Sequence, residues 1–257
     1  MKNSVLISSL LLMTSLTGCS TEYNLATRQQ ETLMYSTDRE VQIGFSVSQK
    51  VDEKYDIVED VDVNARVERL FNRLVEVSDR KDIVYFIKVI EEDEMINAFS
   101  LPGGYVYLFS GLVEKARSDD ELAGVIAHEI GHITARHGVK RLQAAYGAMI
   151  LTAAAAAADG GIGAGVNLTM NTILSEYSQE DEFEADRLAV KYMRKAGFDP
   201  YGVEEFFDVL RKEQDKEIRP IMYFRSHPHI PQRKAKIRQE ITGQIEFRDY
   251  LNLIDGQ

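Results

Sequence analysis

The chain has 257 residues, 44% of them hydrophobic, which is enough for one sizeable core. Charged residues make up 28% and leave a formal net charge of −11 with no basic patch, which argues against a nucleic-acid partner. Acidity on this scale serves solubility and says little about substrate.

The first eighteen residues read as a secretory signal peptide. Lys2 supplies the positive start, and Val5 to Leu16 is a mainly apolar run too short to span comfortably as a mature helix. The run ends in "LTGC", Leu16 to Cys19, which resembles the bacterial lipobox, where cleavage before the cysteine is coupled to its lipidation. Cys19 is the only cysteine in the chain, so no intramolecular disulfide competes for it. Ser20 after the cysteine, rather than aspartate, points to the outer membrane, with the protein on its periplasmic face. Residues 19–35 then read as a lipidated tether, and residues 36–257 as a single domain without internal repeats.

The domain opens with helical signals. Residues 36–55 carry capping-box spacing at Thr37 and Glu40, with Val41, Phe45, Ser48 and Val51 on one face. Residues 61–79 place Val63, Val67, Leu70, Leu74 and Val77 at helical spacing. "DIVYFIKVIEED" switches to a strand, rich in β-branched and aromatic residues. "NAFSLPGGYVYLFSGL" reads as two short strands around a Pro102-Gly103-Gly104 turn. Helix signals resume at Ser118. Ala144 to Ala158 is an apolar run short of a transmembrane span, expected as a core hairpin or a mobile flap before a Gly-rich turn. A capped helix follows from Ser178 to a Gly197 stop, another opens at Asp199-Pro200, and Pro231 starts a last, basic helix.

The chemistry sits in "AGVIAHEIGHITARHG", Ala123 to Gly138. On a helix this stretch is apolar nearly all round, which marks a buried element. Ionisable groups buried there cost several kcal/mol unless something pairs with them. His128 and His132, four apart, project from one face about 40° from each other and can grip one zinc ion. Glu129 sits about 100° round, where it can reach a water on that ion. Gly124, Gly131 and Ala135 lie close to the histidine side and admit another backbone or a substrate. In "EFEAD", Glu182 and Asp186 are again four apart on one face. Glu182 completes a His₂Glu set with one position open, and Asp186 can accept a hydrogen bond from a ligand imidazole. His137, about 140° round from His132 on a continuous helix, reads as a satisfied or surface histidine. The lone cysteine at the lipid site leaves nucleophilic cysteine catalysis without support.

"HEIGH" with "EFEAD" about fifty residues on resembles the zinc metallopeptidases of the HtpX and CAAX-prenyl-protease type, most of all their soluble bacterial lipoprotein and periplasmic members. The likeness runs from about Asn97 to Arg233. It implies an α+β, mainly helical, zincin-like fold: a buried HExxH helix beside a small antiparallel sheet whose edge strand, in "NAFSLPGG", flanks the zinc. It matches His128, His132 and Glu182 to the zinc ligands, Glu129 to the catalytic base and Asp186 to the acid behind the ligands. "SHPHIPQR" resembles the family's His-Pro segment, so His227 and Arg233 match a pair near the active centre. His227 then has two readings: with Arg233, a donor to the oxyanion, or a fourth zinc ligand that holds the enzyme latent. His229 is incidental. Ser178-Gln179 departs from the family's Ser-Arg, which puts in doubt only the contact that arginine would make.

The expected function is a zinc endopeptidase, with one Zn²⁺ per chain, cleaving unfolded or misassembled cell-envelope proteins that pair with the edge strand. The alternative is a chaperone working with outer-membrane assembly machinery, its zinc chiefly structural or latent.

Overall fold

A computed structural model describes residues 20–158, 176–216, 221–245 and 249, with the side chains of 148–158 left aside. The signal peptide, Cys19 and the Gly-rich turn lie outside the described residues.

The chain begins with a two-stranded antiparallel hairpin, β1 (Ser20–Asn24) and β2 (Gln29–Leu33). Much of the stretch expected as a tether is therefore folded. Ala26 and Leu33 are buried. Polar contacts do the rest: Asn24 donates to the Thr134 carbonyl at 3.0 Å, Arg187 donates to the Ala26 carbonyl at 2.9 Å, and Lys140 pairs with Glu31 at 2.7 Å. Anchoring by ion pairs leaves no alternation of apolar residues, so the hairpin carries little strand signal.

Helix α1 (Thr37–Lys54) is capped by Ser36, whose hydroxyl accepts from the Arg39 amide, one residue before the cap expected from the sequence. Its buried residues are Glu40, Gly44, Val47, Ser48 and Val51, while Phe45 is exposed. The inward face is displaced because Glu40 turns in to meet Arg80, with contacts of 2.7 and 2.8 Å to the guanidinium. Helix α2 (Val61–Val77) starts at Asp60, which accepts from the amides of Asp62 and Val63, and buries Val67, Leu70, Phe71 and Leu74.

Three strands follow: β3 (Phe86–Ile90), β4 (Ala98–Leu101) and β5 (Tyr105–Phe109). β4 and β5 are antiparallel across the Pro102-Gly103-Gly104 turn, where Gly103 at φ 77° and Gly104 at φ 101° adopt backbone that residues with a Cβ avoid. β3 lies parallel to β5, so the sheet is mixed rather than wholly antiparallel, in the order β3-β5-β4. β4 forms one edge and packs against the HExxH helix.

After α3 (Ser110–Lys115) comes α4 (Asp119–Thr134), the HExxH helix, capped by Ser118. Every residue from Glu121 to Thr134 is buried. Its neighbours are α2, α6 (Gln179–Ala196) and α7 (Tyr201–Gln214). The approach to α6 depends on Gly131: a Cβ there would stand 2.8 Å from the Ala185 carbonyl oxygen. The small residue thus admits a backbone, and that backbone carries Glu182 and Asp186.

At Ala135 the helix stops. Arg136 takes φ 58°, and α5 (His137–Ala158) sets off anew. The apolar run from Ala144 is the continuation of that one helix, not a hairpin. Helix α6 has a reciprocal cap between Ser178 and Asp181 and ends at Gly197 with φ 75°. The short α8 (Met222–Ser226) leads through His227 into α9 (Ile230–Thr242). Among the described residues, no helix is long and apolar enough to cross a membrane.

Candidate metal centre

Four elements converge on one point. Helix α4 brings His128, Glu129 and His132; α6 brings Glu182 and Asp186; the α8–α9 junction brings His227; α9 brings Arg233. All seven are essentially inaccessible to solvent. The structure brings all seven of these residues, singled out from the sequence, into one cluster.

The inner set is His128, His132, Glu182 and His227, each offering one ligand atom, all within 4.8 Å of one another. His128 Nε2 lies 3.0 Å from His132 Nε2 and 3.4 Å from His227 Nδ1. Glu182 Oε1 stands 3.4 Å from His132 Nε2 and 3.1 Å from His227 Nδ1, and its Oε2 is 3.5 Å from His128 Nε2. A tetrahedral site with ligands about 2 Å from its centre has edges of about 3.3 Å, so the spacing suits a small divalent cation, as does a donor set of imidazoles and one carboxylate.

Burial of Glu129 supports the same fit. Both of its carboxylate oxygens are buried without a hydrogen-bond partner, and so is His227 Nε2. The two groups face each other at 3.4 Å between Oε1 and Nε2. Orphaned buried polar atoms are rare in native structures and call for an unseen partner. A cation with its water satisfies that requirement.

Behind the ligands stands a second tier. Asp186 Oδ1 lies 2.9 Å from His128 Nδ1, the ring nitrogen that faces away from the cluster. Arg233 grips both oxygens of Asp186, Nη2 to Oδ1 at 2.7 Å and Nε to Oδ2 at 2.8 Å, and its Nη1 reaches Glu182 Oε2 at 2.6 Å. Arg233 is therefore occupied in bracing the two carboxylates. That arrangement replaces the sequence-based expectation of Arg233 as an oxyanion donor.

The electrostatics follow from these contacts. Burial raises the pKa of Glu182, but Arg233 and the neighbouring histidines outweigh it and hold the carboxyl well below its usual range. Asp186 is likewise lowered, burial being overcome by Arg233. For His128, burial and Arg233 favour the neutral ring, yet the hydrogen bonds to Asp186 and Glu182 prevail and push it up to about 9. His132 is held well below 6.5 by burial and by His128.

Two residues of the site escaped the sequence reading. Tyr177 stacks on the His132 ring, centroids 3.7 Å apart and planes 15° from parallel, with the Arg141 guanidinium 3.5 Å from its own ring centre. Its place directly before the cap of the helix that carries Glu182 was the available signal. His137, expected to be satisfied or on the surface, is indeed satisfied, but by His132: their Nδ1 atoms are 2.8 Å apart. The break at Arg136 turns it back towards His132. No glycine or proline marks that break, so spacing along a continuous helix misplaces the ring.

Comparison with known proteins agrees with this geometry. The model of peptidase family M48 matches residues 62–241, well over half of the chain. A Vibrio cholerae protein with a provisional beta-barrel assembly-enhancing protease name is 34% identical over 222 residues, covering 80% of this chain and 45% of its own. The Escherichia coli metalloprotease LoiP is 33% identical over 153 residues, 58% of this chain and 60% of LoiP. The mitochondrial metalloendopeptidase OMA1 of Schizosaccharomyces pombe is 29% identical over 174 residues, 67% of this chain and 51% of OMA1. The chain thus spans about half the length of the relatives it matches.

Proposed function

The chain belongs to peptidase family M48, and from that premise we propose that it is a zinc endopeptidase whose cation is held by His128, His132 and Glu182. The observation that carries the reading is Glu129: a carboxylate buried beside the three ligands, with neither oxygen hydrogen-bonded. Purely structural zinc has no use for such a group.

When bound, the cation supplies Lewis acidity and lowers the pKa of the water it holds to near 7. Glu129 accepts the proton of the attacking water and delivers it to the leaving amine, the general base and acid roles its position allows. Asp186 accepts the Nδ1 proton of His128 and so keeps Nε2 free as a ligand, and Arg233 fixes Asp186. His227 presents Nδ1 to the inner set, which supports its role as a fourth ligand in a latent resting state. With zinc bound, His227 in that place would close the site, and its displacement would open it.

Substrate binds as an extended strand along β4, the sheet edge beside α4. Main-chain pairing reads little sequence, so unfolded or misassembled envelope proteins are the proposed substrates. The name of the Vibrio cholerae relative, a beta-barrel assembly-enhancing protease, is in keeping with an envelope setting. Anchoring at the outer membrane through a lipidated Cys19, and contact with its assembly machinery, complete the proposal.

The Glu129→Gln variant tests it. Zinc should be retained and cleavage of an unfolded protein such as casein abolished; cleavage at the wild-type rate overturns the assignment. The closed inner set also favours a second reading, a chaperone with latent zinc. Full rescue of a knockout by Glu129→Gln would favour the chaperone, and loss of rescue the protease.

A further inference from the structure

We infer that His137 is the positioning residue for the ligand His132, setting which of its ring nitrogens faces the cation. The inference rests on the metal reading above and adds a residue to it.

The two rings are buried, and their Nδ1 atoms are 2.8 Å apart. At that distance a single proton lies between them, given by one ring and accepted by the lone pair of the other. Two arrangements exist. If His137 donates, His132 accepts at Nδ1 and must carry its own proton on Nε2, the atom that faces His128 and Glu182. A protonated Nε2 has no lone pair for a cation. Ligation through Nε2 therefore requires the other arrangement, in which His132 Nδ1–H donates to His137.

The far side of His137 is compatible with that arrangement. His137 Nε2 lies 3.3 Å from Glu184 Oε2 and 3.4 Å from Asp181 Oδ1. Ionised carboxylates only accept, so Nε2 must carry a proton. A neutral His137 protonated at Nε2 has its lone pair at Nδ1, facing His132. A neutral His137 with its proton on Nε2 thus serves the carboxylates on one side and accepts from His132 on the other.

The two ligand histidines are thus oriented by different means. His128 meets a carboxylate directly, Asp186 at 2.9 Å. His132 meets its carboxylates through an interposed imidazole. The left-handed Arg136, φ 58°, is what returns His137 to this position five residues after the ligand.

The test compares zinc affinity, by competition with a chelator, in wild type, His137→Asn and His137→Leu. Asn keeps an acceptor oxygen near the place of Nδ1, whereas Leu fills similar space with none. Leu should weaken zinc about 10–100-fold, as loss of an outer-sphere partner does, while Asn stays close to wild type. A purely structural role would weaken both alike, and unchanged affinity in folded His137→Leu overturns the inference. Nitrogen-15 NMR of the zinc-loaded wild type decides the matter even if His137→Leu fails to fold. His132 protonated at Nδ1 and His137 at Nε2 are expected, and His137 protonated at Nδ1 overturns the inference. Wild type that binds no zinc removes the metal reading itself, a result distinct from zinc-loaded protein with the wrong tautomers.

Discussion

His227 Nδ1 lies 3.4 Å from His128 Nε2, inside the ring of donors rather than over the open side of the site. A histidine from the α8–α9 junction thus joins the cluster built by α4 and α6. The same nitrogen is 3.1 Å from Glu182 Oε1, so it touches side chains from both helices that build the cluster.

That placement makes His227→Ala informative. Turnover of an unfolded protein should rise several-fold as the fourth position opens, and zinc affinity should fall because one donor is gone. Turnover and affinity both unchanged would exclude His227 as a latent-state ligand.

Among the described residues Arg233 is the largest fully buried side chain, and two carboxylates depend on it. Replacing it with methionine leaves Asp186 and Glu182 buried without their counter-charge, a change worth about 3–5 kcal/mol when one partner of a buried pair is removed. Urea denaturation of the metal-free protein reads this directly. Arg233→Lys should recover only part of the loss, because an ammonium cannot grip both oxygens of Asp186 as the guanidinium does. A cost below about 1 kcal/mol for Arg233→Met would show that the pair is not what holds α9 to α6.

Gly131→Ala should cost about 1–3 kcal/mol, the usual range for overpacking, since its Cβ would meet the Ala185 carbonyl at 2.8 Å. Because Ala185 sits between Glu182 and Asp186, the displaced backbone should weaken zinc binding as well. Gly147→Ala is the control: nothing lies within 4 Å of a Cβ there, and removing a helical glycine stabilises by roughly 0.5–1 kcal/mol. Equal melting temperatures for the two variants would contradict close packing at Gly131.

What was legible in the sequence was periodic or chemically marked. Ser178 and Gly197 bound α6, Pro102-Gly103-Gly104 turns β4 into β5, and the four-residue spacing of Glu182 and Asp186 puts both on the face that meets α4. Three features were not legible, for separate reasons. The N-terminal hairpin is fastened through Asn24, Glu31 and Lys140, whose bonds to distant partners leave no local pattern. Glu40 lies buried on a helix face where periodicity puts apolar residues, because Arg80, forty positions away, balances its charge. His137 depends on an arginine in left-handed backbone, a conformation that tertiary contacts impose and composition does not announce. Local rules reached the elements and the clustered histidines and carboxylates; the long-range polar pairs that orient them belong to the folded state alone.

The most direct measurement is anomalous diffraction at the zinc edge from crystals of zinc-loaded protein. One peak per chain is expected, about 2 Å from His128 Nε2, His132 Nε2 and a carboxylate oxygen of Glu182. No peak, or a peak bound by other side chains while those three stand apart, would contradict a zinc centre built from α4 and α6.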